Sequence, residues 1–237
     1  MEFKHTDHRD QELVARILRS AEVVFADRGP DKATLREITT KADVNIAAVS
    51  YYFGSKAVLT RAVFDQLSAR LNELRSSELE RCLAEAADDD RAPDLSSILE
   101  IFVRPYVATG KSGRLFARLI MQHRVAPSEL TSAIIKSHFD PMAKRFIQAI
   151  SLACPGLDPK EFYWRYVFMI GAVIYSAADP GVSERAAALS GGAVDAHDPE
   201  GFRKAMIAFL VGGMSAPAGP DTGTATPTKK SRKASRA

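Results

Sequence analysis

Residues 34–54 contain two predicted helices that are each too short to be stable on their own. The first is predicted to begin at Thr34, because the letters TLRE that start there have the spacing of a capping box. The second is predicted between Asn45, which is suited to cap it, and Gly54, which ends it. Helices of about eight residues are marginal in water. Neighbouring helices must therefore hold both of them in place.

The flanking segments supply those neighbours. An amphipathic helix is predicted before Thr34, with its apolar face formed by Val14, Ile17, Leu18, Ala21 and Phe25. Ser55 is placed to cap a longer helix whose apolar positions are Val58, Leu59, Val63, Leu67, Leu71 and Leu74. Two short helices joined by a tight turn and braced by a long first helix describe a helix-turn-helix, here at about residues 34–53.

The second short helix has a surface suited to a DNA groove. Val44, Val49 and Phe53 are spaced to pack inward, which leaves mostly small side chains at the surface. Alanine methyls can contact thymine methyls in the major groove, and a serine hydroxyl can bond to several base edges. Tyrosine hydroxyls and Lys56, at the start of the next helix, can bind phosphates. The pattern favours a nucleic-acid contact.

The rest of the chain also predicts helices. Further segments are expected near 94–110, 112–125, 128–151, 159–178 and 199–213. No run shows sustained alternation of apolar and polar residues, so the fold class is all-α. Pro105 and Pro141 should kink or break their helices. A charged break at 88–93 marks the start of a second, larger helical domain.

Composition excludes several classes of protein. Of the 32 Lys and Arg residues five lie in residues 216–237, beside one acid, so the net charge of +3 comes from a basic tail that is predicted to be disordered. No signal segment or transmembrane run is recognised, which predicts a cytoplasmic protein with no membrane contact. No catalytic triad, phosphate loop or metal-ligand spacing occurs, so no enzyme activity, cofactor or metal is expected.

The stretch TLREITTKADVNIAAVSYYFGSKAVLTRAV resembles the DNA-binding signature of the tetracycline-repressor (TetR) family of bacterial regulators. The resemblance implies a homodimer that binds double-stranded operator DNA through residues 1–56. A linking helix at 57–87 and an effector-binding and dimerisation domain at 88–215 would follow. Asp43 stands where the family often has glycine, so the turn must accept a side chain. The residues that the resemblance places on DNA are Thr34, Arg36, Asn45, Ala47, Ala48, Ser50, Tyr51, Tyr52 and Lys56.

The C-terminal half predicts an effector pocket and a dimer interface. Residues 94–175 are rich in aromatics, and weak similarity to regulators of fatty-acid metabolism suggests an apolar, fatty-acyl-like effector whose anionic head meets Arg104 or Arg118. The expected pocket residues are Phe102, Tyr106, Phe116, Arg118, Met121 and Trp164. The helix at 159–178 is apolar around most of its circumference. The expected interface residues are Tyr166, Ile170, Val173, Ile174 and Phe209.

Two functions compete on the sequence. The first is a ligand-responsive transcriptional regulator, in this family most often a repressor that a small effector releases from a palindromic operator. The second is a helical carrier or scaffold that has lost specific DNA binding. A salt-sensitive shift of promoter DNA separates them, because only the regulator depends on phosphate contacts.

Overall fold

The computed structural model describes residues 8–107, 111–179 and 181–217. Within these ranges the chain forms eleven α-helices and one π-helical turn, with no β-strand, which confirms the all-α prediction. The first four helices are α1 (His8–Arg28), α2 (Leu35–Ala42), α3 (Ile46–Phe53) and α4 (Lys56–Asp88). The others are α5 (Leu95–Val107), α6 (Lys111–Val125), α7 (Glu129–Ile134), α8 (Asp140–Ala153), α9 (Pro159–Ala178), α10 (Val182–Leu189) and α11 (Pro199–Ser215).

Helices α1 to α4 share one apolar core. The side chains buried in it include Ile17, Ala21 and Phe25 of α1, Ile38 of α2, Val49 and Phe53 of α3, and Leu59 and Val63 of α4. Burial of Val49 and Phe53 contributes roughly 1.5–3 kcal/mol each. That contribution holds a helix of eight residues that would not form alone.

The 33-residue helix α4 connects this unit to the rest of the molecule. It packs against α1 and α3 on one side and against α5, α7 and α8 on the other. In the C-terminal half α6 packs on α9, α5 packs on α11, and α9 and α11 contact each other. α1 also packs on α6, so the N-terminal helices rest directly on the C-terminal half.

Two prolines affect their helices differently. The predicted segment 128–151 is divided into α7, a π-helical turn (Ile135–Phe139) and α8, which begins at Asp140 with Pro141 in its first turn. The expected interruption at Pro141 is thus present. By contrast, α5 continues through Pro105, although proline has no N–H to donate to the preceding turn.

One helix is not expected from the sequence, and one predicted segment falls outside the described residues. That helix is α10, none of whose side chains is buried. Its sequence therefore lacks the periodic apolar face from which a helix is predicted. From residue 218 onward the predicted basic tail lies outside the described residues. Over the described part of the chain, no single helix has both the length and the apolar character to cross a membrane; α9 and α10 meet that test only as a pair, across a 94° bend.

Candidate functional site

The capping box at the start of α2 forms as predicted. The Glu37 amide donates to Thr34 Oγ1 at 3.2 Å, and the Thr34 amide donates to Glu37 Oε2 at 2.8 Å. Arg28 at the end of α1 forms an ion pair with Glu37 at 3.1 Å. Hydrogen bonds from the Thr34 backbone and hydroxyl lower the pKa of the Glu37 carboxyl, and the nearby Arg28 acts in the same direction. The capping box therefore fixes the first turn of α2 as long as the Glu37 carboxylate is charged.

The turn between α2 and α3 accepts a side chain where glycine is usual. Asp43 has a left-handed conformation with φ of 52°, which aspartate tolerates better than most residues. The Val44 amide donates to the Thr39 carbonyl at 3.0 Å, and the Arg16 guanidinium donates to the Asp43 carbonyl at 3.2 Å. Asn45 Oδ1 then accepts from the Ala47 amide at 2.9 Å. These bonds set the angle at which α3 leaves the turn.

Helix α3 separates into a buried face and an exposed face. Val49 and Phe53 are buried, as the spacing predicts. Ala47, Ser50 and Tyr51 are exposed, with 67% of Tyr51 accessible. Three other residues predicted to contact DNA, Thr34, Arg36 and Asn45, are also exposed. Ala48 is instead half-buried against the core. The exposed face of α3 thus presents small side chains along its length and a phenol near its end.

The two adjacent tyrosines are not equivalent. The Tyr52 hydroxyl lies 2.5 Å from Asp10 Oδ1, to which it donates, and ties the end of α3 to α1. A hydroxyl whose proton is given to a carboxylate cannot donate it to a phosphate, which corrects the predicted phosphate role of Tyr52. The Tyr51 ring packs edge-on against Tyr52, with 4.9 Å between the ring centroids. Tyr52 therefore positions Tyr51 at the surface.

Lys56 lies beside the same surface. Gly54 ends α3 with φ of 72°, and Ser55 Oγ caps α4 by accepting from the Val58 amide at 3.2 Å. Lys56 is the first residue of α4, and its Nζ donates to the Asp31 carbonyl at 2.9 Å. An ammonium has three donors. Lys56 can therefore keep this bond and still donate to a phosphate at the start of α4.

An aromatic cluster occupies the centre of the C-terminal half. The predicted pocket residues Phe102, Tyr106 and Phe116 are all buried and lie close together. Ring centroids are 5.8 Å apart for Phe102 and Tyr106, and 5.8 Å apart for Tyr106 and Phe116. Phe146 of α8 and Phe139 of the π-helical turn complete the cluster, Phe139 stacking on Phe116 at 4.1 Å.

An arginine that sequence reasoning missed lies within this cluster. The Arg75 guanidinium carbon, from α4, is 4.7 Å from the Tyr106 ring centroid and 5.6 Å from that of Phe102. Arg75 is only 3% exposed, and its Nη2 donates to the Phe102 carbonyl at 3.1 Å. Its Nε has no hydrogen-bond partner among the described residues. A buried donor without a partner costs about 1–3 kcal/mol.

The other predicted pocket residues have different positions. Arg104 is ion-paired with Glu78. Arg118 donates through Nη1 to the Ala26 carbonyl of α1 and through Nε to the Ala178 carbonyl of α9, the latter at 3.2 Å. These bonds correct the expectation that either arginine awaits an anionic head. Arg118 instead joins the ends of two helices.

Met121 and Trp164 are not members of the aromatic cluster. Met121 is half-buried at the edge of the core. Trp164 is 56% exposed on α9 and stacks on Phe168 at 6.2 Å, which corrects its assignment to the pocket. Because α9 is apolar on nearly every side, the spacing could not show which of its aromatics faces inward.

The same ambiguity affected the predicted dimer interface. Val173 and Ile174 are buried within the protomer, and Tyr166 and Ile170 are half-buried against its core. Burial raises the pKa of the Tyr166 phenol to about 12, as expected for a ring turned inward. Burial within the protomer corrects the interface assignment of Val173 and Ile174, while Tyr166 and Ile170 stay predictions. Phe209 of α11, by contrast, is 66% exposed.

A second set of apolar side chains forms the exposed face of α9. Its members are Tyr163, Trp164, Val167, Phe168 and Tyr175, each more than half exposed. Arg165 lies behind this face, 9% exposed, and its guanidinium donates to the carbonyls of Gly213 and Met214, each at 3.1 Å. It thereby closes the end of α11 against α9. We call the five α9 residues together with Phe209 the apolar face.

Comparison with known families decides the identity of this fold. Residues 17–63 match the family model described as bacterial regulatory proteins of the tetR family. Residues 100–213 match the model described as a tetracyclin repressor-like C-terminal domain. The chain belongs to the TetR family. The first match contains the helix-turn-helix, and the second contains the aromatic rings from Phe102 to Phe146 and the apolar face.

Individual TetR-family relatives match over part of their length. An HTH-type transcriptional repressor of Mycobacterium tuberculosis is 38% identical over 79 residues, which are 33% of this chain and 42% of the relative. The HTH-type transcriptional regulator TtgR of Pseudomonas putida is 36% identical over 78 residues, 32% of this chain and 37% of that protein. The chain thus spans less than half the length of these curated relatives.

Solved structures of TetR-like proteins share the fold over most of the chain. The hemolysin II transcriptional regulator HlyIIR superposes with a TM-score of 0.60 at 16% identity, covering 85% of this chain and 98% of that one. The fatty acid degradation regulator FadR of Bacillus halodurans superposes with a TM-score of 0.57 at 16% identity, covering 84% and 98%. At these identities the likeness establishes the fold alone.

Proposed function

We propose that this TetR-family protein is a homodimeric transcriptional repressor that a small apolar or amphipathic effector releases from a palindromic operator. The observation that carries the proposal is the exposed face of α3, which is small, capped at both ends and braced by α1 and α4. An α-helix with its side chains is about 10–12 Å across, so a helix with a face of small side chains fits the major groove, which is about 12 Å wide.

The contacts to DNA follow from the chemistry of the exposed residues. Ala47 and Ser50, both exposed, would contact base edges, since small side chains let the helix backbone approach the groove floor. Tyr51 and Lys56 flank them and would bind phosphates, which fix the register of the protein on DNA. From α2, Thr34 and Arg36 would meet the backbone or the edge of the groove. Ala48 and Asn45 complete the recognition helix.

Dimerisation is proposed through the apolar face. Six large side chains, each more than half exposed, exceed the isolated apolar residues that a monomer surface normally carries. α9 and α11 lie side by side, so a second copy related by a two-fold axis would pack as a four-helix interface. Two recognition helices related in this way read a near-palindrome whose half-sites lie about one helical turn, or a multiple of it, apart.

Release requires that the effector domain and the recognition helix move together. Arg118 supports such coupling, because its guanidinium bonds both Ala26 near the end of α1 and Ala178 at the end of α9. Phe116, in the aromatic cluster, lies two residues before it on α6. A ligand that displaced α6 would shift α1 relative to the dimer. A tenfold loss of DNA affinity requires only about 1.4 kcal/mol of coupling.

The test is a binding titration on DNA from the promoter region beside the protein's own gene, with a scrambled duplex of equal length as control. We expect tighter binding to the promoter fragment, and affinity for both duplexes that falls steeply as salt rises. A protein that binds neither duplex, at low or moderate salt, would instead be a helical carrier or scaffold.

A further inference from the structure

Arg75 differs from the neighbouring arginines in having no anionic partner among the residues that the structure describes. Arg104 is paired with Glu78, Arg70 with Glu22 and Arg145 with Glu80. Within the described residues, Arg75 forms no ion pair, and the single hydrogen bond of its guanidinium goes to a backbone carbonyl. It is also the most deeply buried of these four side chains, at 3% exposure. In the described part of the chain, a full positive charge thus lies in the core without a negative partner.

The aromatic rings supply only some of the interactions that stabilise a buried guanidinium. The faces of Tyr106, Phe102 and Phe116 lie 4.7 to 5.9 Å from its central carbon, and ring faces attract a cation. They do not accept the Nε–H, which is buried without a partner. Buried charges in proteins are normally paired with an opposite charge or a ligand. The Nε and one terminal amine of arginine form a planar fork that fits a carboxylate or sulfonate.

A second unpartnered polar group lies on the same side of α4. Ser68 Oγ is fully buried and, with Arg75 Nε, is one of the two buried side-chain polar atoms that lack a hydrogen-bond partner in the described part of the chain. Residues seven apart share a helix face, about 10 Å from each other along the axis. This face of α4 thus carries two buried polar groups whose hydrogen bonds are not made within the described residues.

The elements that enclose Arg75 are irregular. α5 carries Pro105 beside Tyr106, and the π-helical turn carries Phe139, which stacks on Phe116. Such turns often mark functional sites. Tyr106 also borders a pocket of about 240 Å³ that is open to solvent and lined by both polar and apolar side chains of α5, α6, α9, α10, α11 and the loop before α11. The ring that covers the guanidinium is therefore also the wall of an accessible space.

We propose that Arg75 is the anion-binding group of the effector site, and that the effector is an aromatic or apolar organic molecule with one negatively charged group. The anion would accept from Nε and a terminal amine of Arg75, and the rest of the molecule would contact the Tyr106 ring and extend into the space that this ring borders. The proposal deepens the repressor function proposed above and rests on it. It replaces Arg104 and Arg118, which are already engaged, as the partner of the anionic head.

The test uses two fluorescent probes of similar size, one with a negative charge that can pair with Arg75 and one without a charge. 1-Anilinonaphthalene-8-sulfonate is an aromatic anion, and N-phenyl-1-naphthylamine is its uncharged counterpart. Both are titrated against the wild type, Arg75→Met and the control Arg104→Met. Arg75→Met should weaken the anion at least tenfold and change the affinity of the neutral probe less than twofold. Arg104→Met should leave both affinities within twofold.

Several results would overturn the proposal. These are equal affinity of the wild type and Arg75→Met for the anion, an equal loss for both probes, or the same loss in Arg104→Met. Circular dichroism establishes that each variant is folded. If Arg75→Met is not folded, Arg75→Lys takes its place. It keeps the charge but lacks the planar fork, so it should weaken the anion at least threefold while the neutral probe changes less than twofold; an equal change for both probes would count against the proposal.

Duplex binding by the same variants separates this proposal from the repressor function. Duplex binding is measured with no probe present, and the residues of the anion site differ from those proposed to contact DNA. If the wild type binds the anion through Arg75 but binds no duplex, the repressor function fails and the anion site remains. If the wild type binds the duplex but Arg75→Met binds the anion as tightly as the wild type does, the anion site fails and the repressor function remains.

Discussion

The exposed faces of α3 and α9 are both accessible in the protomer, but they differ in what they expose. α3 presents Ala47, Ser50 and one phenol, whereas α9 presents Trp164 and Phe168 among other large rings. Small side chains leave the helix backbone free to enter a groove lined by phosphates. Large apolar side chains in water are unfavourable until a matching surface covers them. The two faces therefore suit different partners: DNA for α3 and a second copy of the chain for α9.

The largest expected effect is on the apolar face. Phe168→Asp places a charge among exposed aromatics, and its burial at an interface would be costly. We expect the dimer to weaken by at least a hundredfold in sedimentation equilibrium, and specific DNA binding to be lost with it. Val125→Asp changes an apolar residue that is 81% exposed outside this face and should do neither. A Phe168→Asp protein that remains a dimer would show that α9 is not the interface.

The next effect concerns the small residues of α3. Ala47→Leu adds three carbons to an exposed position, so the fold should keep its melting temperature within a degree or two. The added bulk should hold the helix away from the groove and reduce affinity for the promoter duplex at least tenfold. Binding to scrambled DNA should fall much less, because that binding depends on phosphates. Unchanged promoter affinity would mean that this face does not enter the groove.

A smaller effect is expected at the edge of the same surface. Lys56→Met removes one phosphate contact, so affinity should fall a few-fold on promoter and scrambled duplexes alike. The slope of log affinity against log salt should also decrease by about one. The measurement is fluorescence anisotropy at four or five salt concentrations. A change in sequence preference, with the salt slope unaltered, would assign Lys56 to base reading instead.

The smallest effect concerns the capping box of α2. The pKa of Glu37 is lowered in the folded protein, so its carboxylate stabilises the fold above the ordinary value of 4.5, and that contribution is lost as the pH falls through the folded value. Glu37→Gln keeps an acceptor for the box but cannot titrate. We expect Glu37→Gln to melt slightly below the wild type at pH 7 and to match it at acidic pH. A constant difference across that range would exclude Glu37 titration as the cause.

The same contrast between α3 and α9 explains how much could be predicted from sequence. The helix-turn-helix is specified by local signals: the box at Thr34, the cap at Asn45 and the stop at Gly54 all form as the letters indicate. The apolar spacing also places Val49 correctly in the core. Each signal acts over three or four residues, so no knowledge of the tertiary structure is required.

The C-terminal half could be predicted only in part, for a physical reason. α9 is apolar around most of its circumference, so its sequence could not show that Val173 faces the core while Phe168 faces solvent. The importance of Arg75 was equally hidden, because it follows a helix face of leucines and its partners are rings from α5 and α6. The hydroxyl bond from Tyr52 to Asp10 joins residues 42 positions apart. Contacts of this range depend on how whole helices pack.

The central claim is that two recognition helices, joined through α9 and α11, read one symmetric site. Hydroxyl-radical footprinting of the promoter duplex tests it most directly, with Phe168→Asp as the matched variant. We expect two protected patches on one side of the duplex, related by two-fold symmetry and separated by about one helical turn or a multiple of it. Both patches should disappear in the variant at the same protein concentration. A single patch with the wild type, or two patches that survive Phe168→Asp, would show that α9 does not join two recognition helices on one symmetric site.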